Sequence, residues 1–147
     1  MGKFIKLGRV VVMFAGCYVG KKAIIVKHYD SGNTKDKKFP HALVAGLARS
    51  PLKVTKRMGN KRIARRTRVK PFVKYVNFNH ILPTRYMVGG ELDLKPAVSE
   101  EQLKESKEGR KKVKQEVKKI FQEKYMQSSV KLDKTNHVAF FYKKLRF

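Results

Sequence analysis

Between Arg49 and Lys74 the chain places eleven lysines and arginines and not one aspartate or glutamate. Such a run cannot serve as core: like charges in succession repel, and an unpaired buried ammonium is strongly disfavoured. The segment has to lie on a surface, extend as a loop, or lean on a polyanion. The rest of the chain does not neutralise it, because 36 Lys and Arg stand against 11 Asp and Glu, a formal net charge of +25. A few units of charge suffice for solubility, and a larger excess opposes compaction. The excess therefore points to a polyanionic partner. Nucleic acid is favoured over an acidic membrane surface, since the longest apolar run, Val10 to Gly20, is 11 residues broken by glycine, too short to span a bilayer.

No segment reads as a signal peptide, and Lys6 stands where a myristoylation signal needs Ser or Thr. Cys17 is the only cysteine, so no internal disulfide can form. These features are those expected of a chain in a reducing, intracellular compartment.

The charge is divided unevenly. Residues 1–98 hold 22 bases and 4 acids, and residues 99–147 hold 14 and 7; the two sections are read as a β domain with basic loops and a helical extension with a C-terminal tail. In the first, the β-branched and aromatic runs predict strands over Phe4–Phe14, Ala23–Tyr29, Ala42–Leu47 and around Phe72–Phe78. "YDSGN" from Tyr29 supplies a turn. Several short strands joined by glycine turns predict a small barrel closed on itself. Within the basic run, Gly59–Thr67 has the makings of a short helix with Ile63 and Ala64 facing inward. In the second section "SEEQ" at Ser99–Gln102 is a capping-box pattern. Val113, Val117, Ile120, Phe121 and Tyr125 then recur at three- and four-residue spacing, which predicts one amphipathic helix ending near Tyr125. Its other face alternates in sign like a solvated surface, and Gly109 weakens its middle by about 1 kcal/mol relative to Ala.

"AGCYVGKK", Ala15 to Lys22, invites comparison with a nucleotide-binding loop. Only three residues separate Gly16 from Gly20, however, and Lys22 occupies the place of the magnesium-binding hydroxyl. A strand-like run, "AIIVKHY", follows where a helix is required. The segment is read instead as a strand-joining turn whose glycines let backbone N–H groups approach RNA phosphate, with Lys21 and Lys22 supplying charge. His28, His41, His80 and His137 match no zinc spacing, and the carboxylates of the first section form no acid–base pair. No catalysis, cofactor, metal or small-molecule substrate is expected.

The residues expected to meet RNA follow from this pattern. They are Gly16, Gly20, Lys21 and Lys22 of the turn, Lys37 and Lys38, and Arg49, Lys53, Lys56, Arg57, Lys61, Arg62, Arg65, Arg66, Arg68 and Lys70 of the basic run. Aromatics interleave with cations in "FVKYVNFNHILPTRY" and "FFYKKLRF", a mixture suited to stacking on splayed bases. Phe72, Phe78, Phe140 and Phe141 are read as core, whereas His80, Arg85, Tyr86, Lys144 and Arg146 carry polar tips for a ligand. In "KKLRF", strand alternation sets Leu145 and Phe147 on one side and Lys144 and Arg146 on the other. A nuclear-import signal could overlap the basic run.

"GRVVVMFAGCYVGKKAIIVK" resembles a KOW motif, with Ala23 where many such motifs carry glycine. "HALVAGLA", "KVTKRMG", "KPFVKYVNFNH", "LPTRY" and "KKLRF" together resemble the eukaryotic large-subunit ribosomal protein L27e family, nearly end to end. That resemblance implies an SH3-like barrel with a C-terminal helical extension, held against ribosomal RNA of the large subunit and neighbouring ribosomal proteins, with no enzymatic activity. It further implies a cytoplasmic, ribosomal location reached after assembly in the nucleolus. The competing readings are a KOW transcription or chromatin factor, for which the chain has neither length nor linkers, and a nucleic-acid enzyme, for which an acidic metal site is missing from the basic section.

Overall fold

A computed structural model describes residues 4–30, 38–128 and 137–145. Five strands, β1 (Arg9–Met13), β2 (Lys22–Tyr29), β3 (His41–Arg49), β4 (Lys70–Asn77) and β5 (Ile81–Met87), form one antiparallel sheet in the order β4-β3-β2-β1-β5. The α-helices are α1 (Asn60–Arg66), α2 (Glu100–Glu105), α3 (Lys107–Ser128) and α4 (His137–Tyr142), and a short 3-10 helix, Phe78–His80, joins β4 to β5. The chain is mainly β with helices, and its sheet is consistent with the SH3-like class. The expected closure is not made by hydrogen bonds: among the described residues β4 and β5 are the two edges of the sheet and do not pair.

Side chains do part of what the ladder leaves undone. Val11 and Met13 of β1, Ala23 and Ile25 of β2, Ala42 and Val44 of β3, Phe72 and Val76 of β4 and Ile81 of β5 pack in one buried cluster. Residues from all five strands can share one core only if the sheet curls around it. Tyr18, in the β1–β2 turn, stacks on Phe72 of β4 with ring centroids 3.9 Å apart and 7° between planes. The turn thereby reaches the strand at the far end of the sheet.

The opposite face is equally apolar. Val10, Ile24, Val26, Leu43, Ala45 and Leu47 alternate with the inner residues along β1, β2 and β3, as a two-residue period demands. They are covered by Val113, Val117 and Phe121 of α3, by Val138, Phe141 and Tyr142 of α4, and by Val88, Leu92 and Leu94 of the connection after β5. This core draws on both sides of residue 98. Burying each such side chain stabilises by roughly 1.5–3 kcal/mol. The stripe expected on the long helix is real and is the covering surface.

The helical section differs from expectation at its start. Ser99 is the N-cap of α2, but its hydroxyl makes no capping bond and is buried without a hydrogen-bond partner among the described residues. Glu100 instead ties the helix to β2, accepting from Lys27 Nζ and, at 2.5 Å, from the Tyr29 hydroxyl. Nor is the helix continuous. Ser106 is extended, with φ −151° and ψ 162°, and its Oγ accepts the Gly109 N–H at 3.0 Å to start α3 afresh.

Gly109 stands where the two helices cross. A β-carbon there would lie 2.3 Å from the Gln102 carbonyl oxygen. Helix propensity alone favours Gly109→Ala by about 1 kcal/mol; the backbone clash reverses the sign. Gly109→Ala is expected to lower the unfolding free energy by about 1–3 kcal/mol, the usual range for overpacking, measured by urea denaturation. A more stable variant would show that α2 does not pack on α3 in this way.

Candidate nucleic-acid interface

The basic run is divided between three local structures. Residues 51–58 have no regular element, α1 follows, and the run ends in β4. The start of the non-helical part is tied to the end of α1, where the Leu52 N–H donates to the Arg66 carbonyl at 2.8 Å and Arg66 Nε to the Lys53 carbonyl at 2.9 Å. Helix α1 forms where expected and buries nothing: Ile63 is half-buried and Ala64, expected inward, is exposed. Arg49, Lys53, Lys56, Arg57, Lys61, Arg62, Arg65, Arg68 and Lys70 are exposed, and Arg66 is half-buried. Among the described residues the ion pairs are Lys27–Glu100 and His28–Asp30, so no carboxylate neutralises this surface.

The β1–β2 turn is partly as expected. Gly16 (φ 92°) and Gly20 (φ 71°) adopt left-handed conformations that other residues resist, and Gly16 lies at an exposed position with open space around it. The Gly20 amide is not free for phosphate, however, since it donates to the Met13 carbonyl at 2.9 Å. Gly20 closes the hairpin. Lys21 is half-exposed beside it.

Lys22 is the main correction. It is only 5% exposed, and its ammonium donates to the carbonyls of Phe140 at 2.6 Å and Lys143 at 2.7 Å while lying 3.7 Å from the Phe140 ring centre. Those carbonyls belong to the C-terminal end of α4, where helix carbonyls lack intrahelical donors and the helix dipole is negative. Lys22 therefore serves as an internal cap that pins the last helix to the hairpin. The period-2 pattern puts Lys22 on the outer sheet face, opposite Val12. What covers that face could not be read locally, because Phe140 is 118 residues away.

Tyr86 is also turned to the protein. Its ring stacks on Phe140, with centroids 3.9 Å apart, and its hydroxyl accepts from Arg85 at 3.2 Å. His80, Arg85, Lys38 and Lys144 are exposed and Leu145 is half-buried, whereas Lys37, Arg146, Phe147 and the "SGN" turn lie outside the described residues. Phe72 and Phe141 are fully buried; Phe78 and Phe140 are half-buried. His41 is a structural histidine, buried with Nδ1 2.9 Å from the Phe39 carbonyl and its ring stacked on Tyr29.

One basic feature was hidden by overall sign alternation. Lys107, Lys111, Lys114 and Lys118 of α3 are all exposed, and their four-, three- and four-residue spacing sets them on one acid-free stripe. The acids Glu108, Glu116 and Glu123 fall on a separate side. A helical wheel, rather than a linear reading of charge, separates the two.

No helix among the described residues is long and apolar enough to cross a membrane, and no group of three His, Cys, Asp or Glu converges there as a metal site. The profile of the Ribosomal L27e protein family matches residues 10–147. The chain belongs to that family. Over its whole length it is 52% identical to large ribosomal subunit protein eL27 of Tetrahymena thermophila and 48% identical to that of Candida albicans, covering 100% of each. L27e proteins are named as ribosomal proteins, and as a member of the family the chain is not an enzyme.

Within this L27e chain, burial first and the nearby Lys143 charge second draw the Lys22 pKa from its ordinary 10.5 down to about 8. The folded chain thus holds this proton less tightly than the unfolded one. The stability linked to Lys22 is complete above pH 10.5 and is lost as pH falls through about 8. Two N–H donors remain on the neutral amine, so the clamp survives deprotonation. Carbon-13 NMR of the lysine side chains should resolve one resonance titrating near pH 8 that vanishes in Lys22→Met. A Lys22 midpoint above 10 would mean that the ammonium stays solvated and α4 is not docked on it.

Proposed function

We propose that the chain is a structural constituent of the large ribosomal subunit that binds and stabilises folded ribosomal RNA, with neighbouring ribosomal proteins beside it. The observation that carries the reading is the surface from Arg49 to Lys70. Nine of its ten cations are exposed, α1 buries nothing, and among the described residues no carboxylate pairs with it. A stable free domain gains nothing from such a concentration of like charge, whereas RNA phosphates neutralise it and release counterions. Full-length kinship with proteins named for the large subunit supports the same assignment. The protein would act in cytoplasmic ribosomes after joining the subunit in the nucleolus. Lys21, Lys38, Arg85 and Lys144 extend the phosphate-facing set, and the lysine stripe of α3 adds a second track.

Two measurements test this. In a sucrose gradient of cell lysate the chain should travel with large subunits, and its absence from them would defeat the proposal. With isolated large-subunit RNA, neutralising about eight phosphates should give a slope of log K against log salt of roughly −6 to −7. A slope shallower than about −2 would exclude the Arg49–Lys70 surface as the contact. Replacing Lys107, Lys111, Lys114 and Lys118 by Gln should make the slope shallower by about 3, taking 0.7–0.9 per phosphate.

A further inference from the structure

Helix α4 runs down the outer face of the sheet and stops before that face is covered. His137 Nδ1 lies 3.0 Å from both the amide nitrogen and the carbonyl oxygen of Met87, in the row where Met87 pairs with Arg9. Three residues on, the Phe140 ring stacks on Tyr86. After three more, the Lys143 carbonyl accepts from Lys22, and Lys22, Val12 and Leu82 form one row across β2, β1 and β5. This row belongs to the outer face, because its chain neighbours Val11, Met13, Ala23 and Ile81 all point into the inner core. The helix end buries Lys22 but leaves Leu82 59% exposed, with Val12 half-buried between them.

The chain is thus delivered to a row that ends in a bare leucine. Lys144 is exposed and Leu145 half-buried, so the tail still touches protein after the helix ends; Arg146 and Phe147 lie outside the described residues. With strands about 4.8 Å apart, Leu82 stands about 10 Å from Lys22 across the row. An extended chain covers about 13 Å from Lys143 to Phe147, enough to reach it. Alternation turns Leu145 and Phe147 to one side and Lys144 and Arg146 to the other. The row asks for no polar occupant, since its one cation, Lys22, already donates to two carbonyls. We propose that the Phe147 ring of this same chain seats on Leu82 and Val12 and completes the cover of the outer face. Lys144 and Arg146 then face away from the sheet, where they join the phosphate-facing set of the RNA-binding reading above. The seat itself does not depend on RNA.

The test therefore uses the full-length protein free of RNA. Nuclear Overhauser effects should link the Phe147 ring to the Leu82 methyls, and Phe147→Ala should move those methyl resonances toward their unfolded positions. Tryptic cleavage after Lys144 tracks the open population of the tail. Phe147→Ala should speed it roughly 10- to 100-fold, the ratio that corresponds to burial of one such side chain. Leu82→Asp should have the same effect with the rest of the spectrum unchanged, and Phe147→Leu should stay much nearer to wild type. Missing Overhauser effects, or wild-type cleavage of Phe147→Ala, would overturn the seat. Effects seen only between differently labelled copies, or only after RNA is added, would overturn it too, by giving Phe147 to a second chain or to the nucleic acid. A shallow salt slope in RNA binding would instead defeat the RNA-binding reading and leave the seat standing.

Discussion

A β-sheet with two apolar faces cannot leave either in water, and that constraint organises this molecule. β3 is buried from His41 to Leu47 without interruption, and β2 from Lys22 to Val26. One face is satisfied by the sheet curling on itself around Phe72, Val11 and Ile25. The other has no further strand to meet, so α3, α4 and the 88–98 connection must cover it. The C-terminal helices are for this reason a second wall of the core as much as an extension. Removing them would expose Ile24, Leu43, Ala45 and Leu47 together, an apolar patch of the sort monomeric proteins avoid.

The hairpin that resembles a KOW motif joins both halves of this arrangement. On the inner side Tyr18 stacks on Phe72 of the distant edge strand. On the outer side Lys22 holds the end of α4 by two carbonyls. A cation in that position does what a glycine cap or a water would do elsewhere, and it does so between segments more than a hundred residues apart. The turn is consequently a structural junction first, and its exposed parts, Gly16, Cys17 and Val19 with the flanking Phe14 and half-exposed Lys21, are left for a partner.

With the cores assigned, charge falls where packing leaves room. α1 carries four cations on one broad side and fully buries no residue. α3 sets Lys107, Lys111, Lys114 and Lys118 on one acid-free stripe beside the side claimed by Val113, Val117 and Phe121. Desolvating an unpaired cation is so unfavourable that the exceptions identify structural roles: Lys22 is buried only because two carbonyls and an aromatic ring replace its water.

Composition and local pattern by themselves determined a good deal. The +25 charge pointed to a polyanionic partner, β-branched and aromatic runs placed β1, β2 and β4, and the three- and four-residue period placed the buried stripe of α3. These are local properties, since side-chain direction follows from φ and ψ within a few residues. β3 was less legible because a strand buried on both faces loses its alternation. Tertiary structure alone decided the rest: that β4 and β5 do not pair with each other, that Ser106 interrupts the helix and Gly109 meets Gln102, that Tyr86 stacks on Phe140, and that Lys22 is buried under the end of α4. Each depends on what a distant segment brings to the same place. A lysine beside a glycine turn looks the same in sequence whether a phosphate or a helix end awaits it, and only the fold supplies the acceptor.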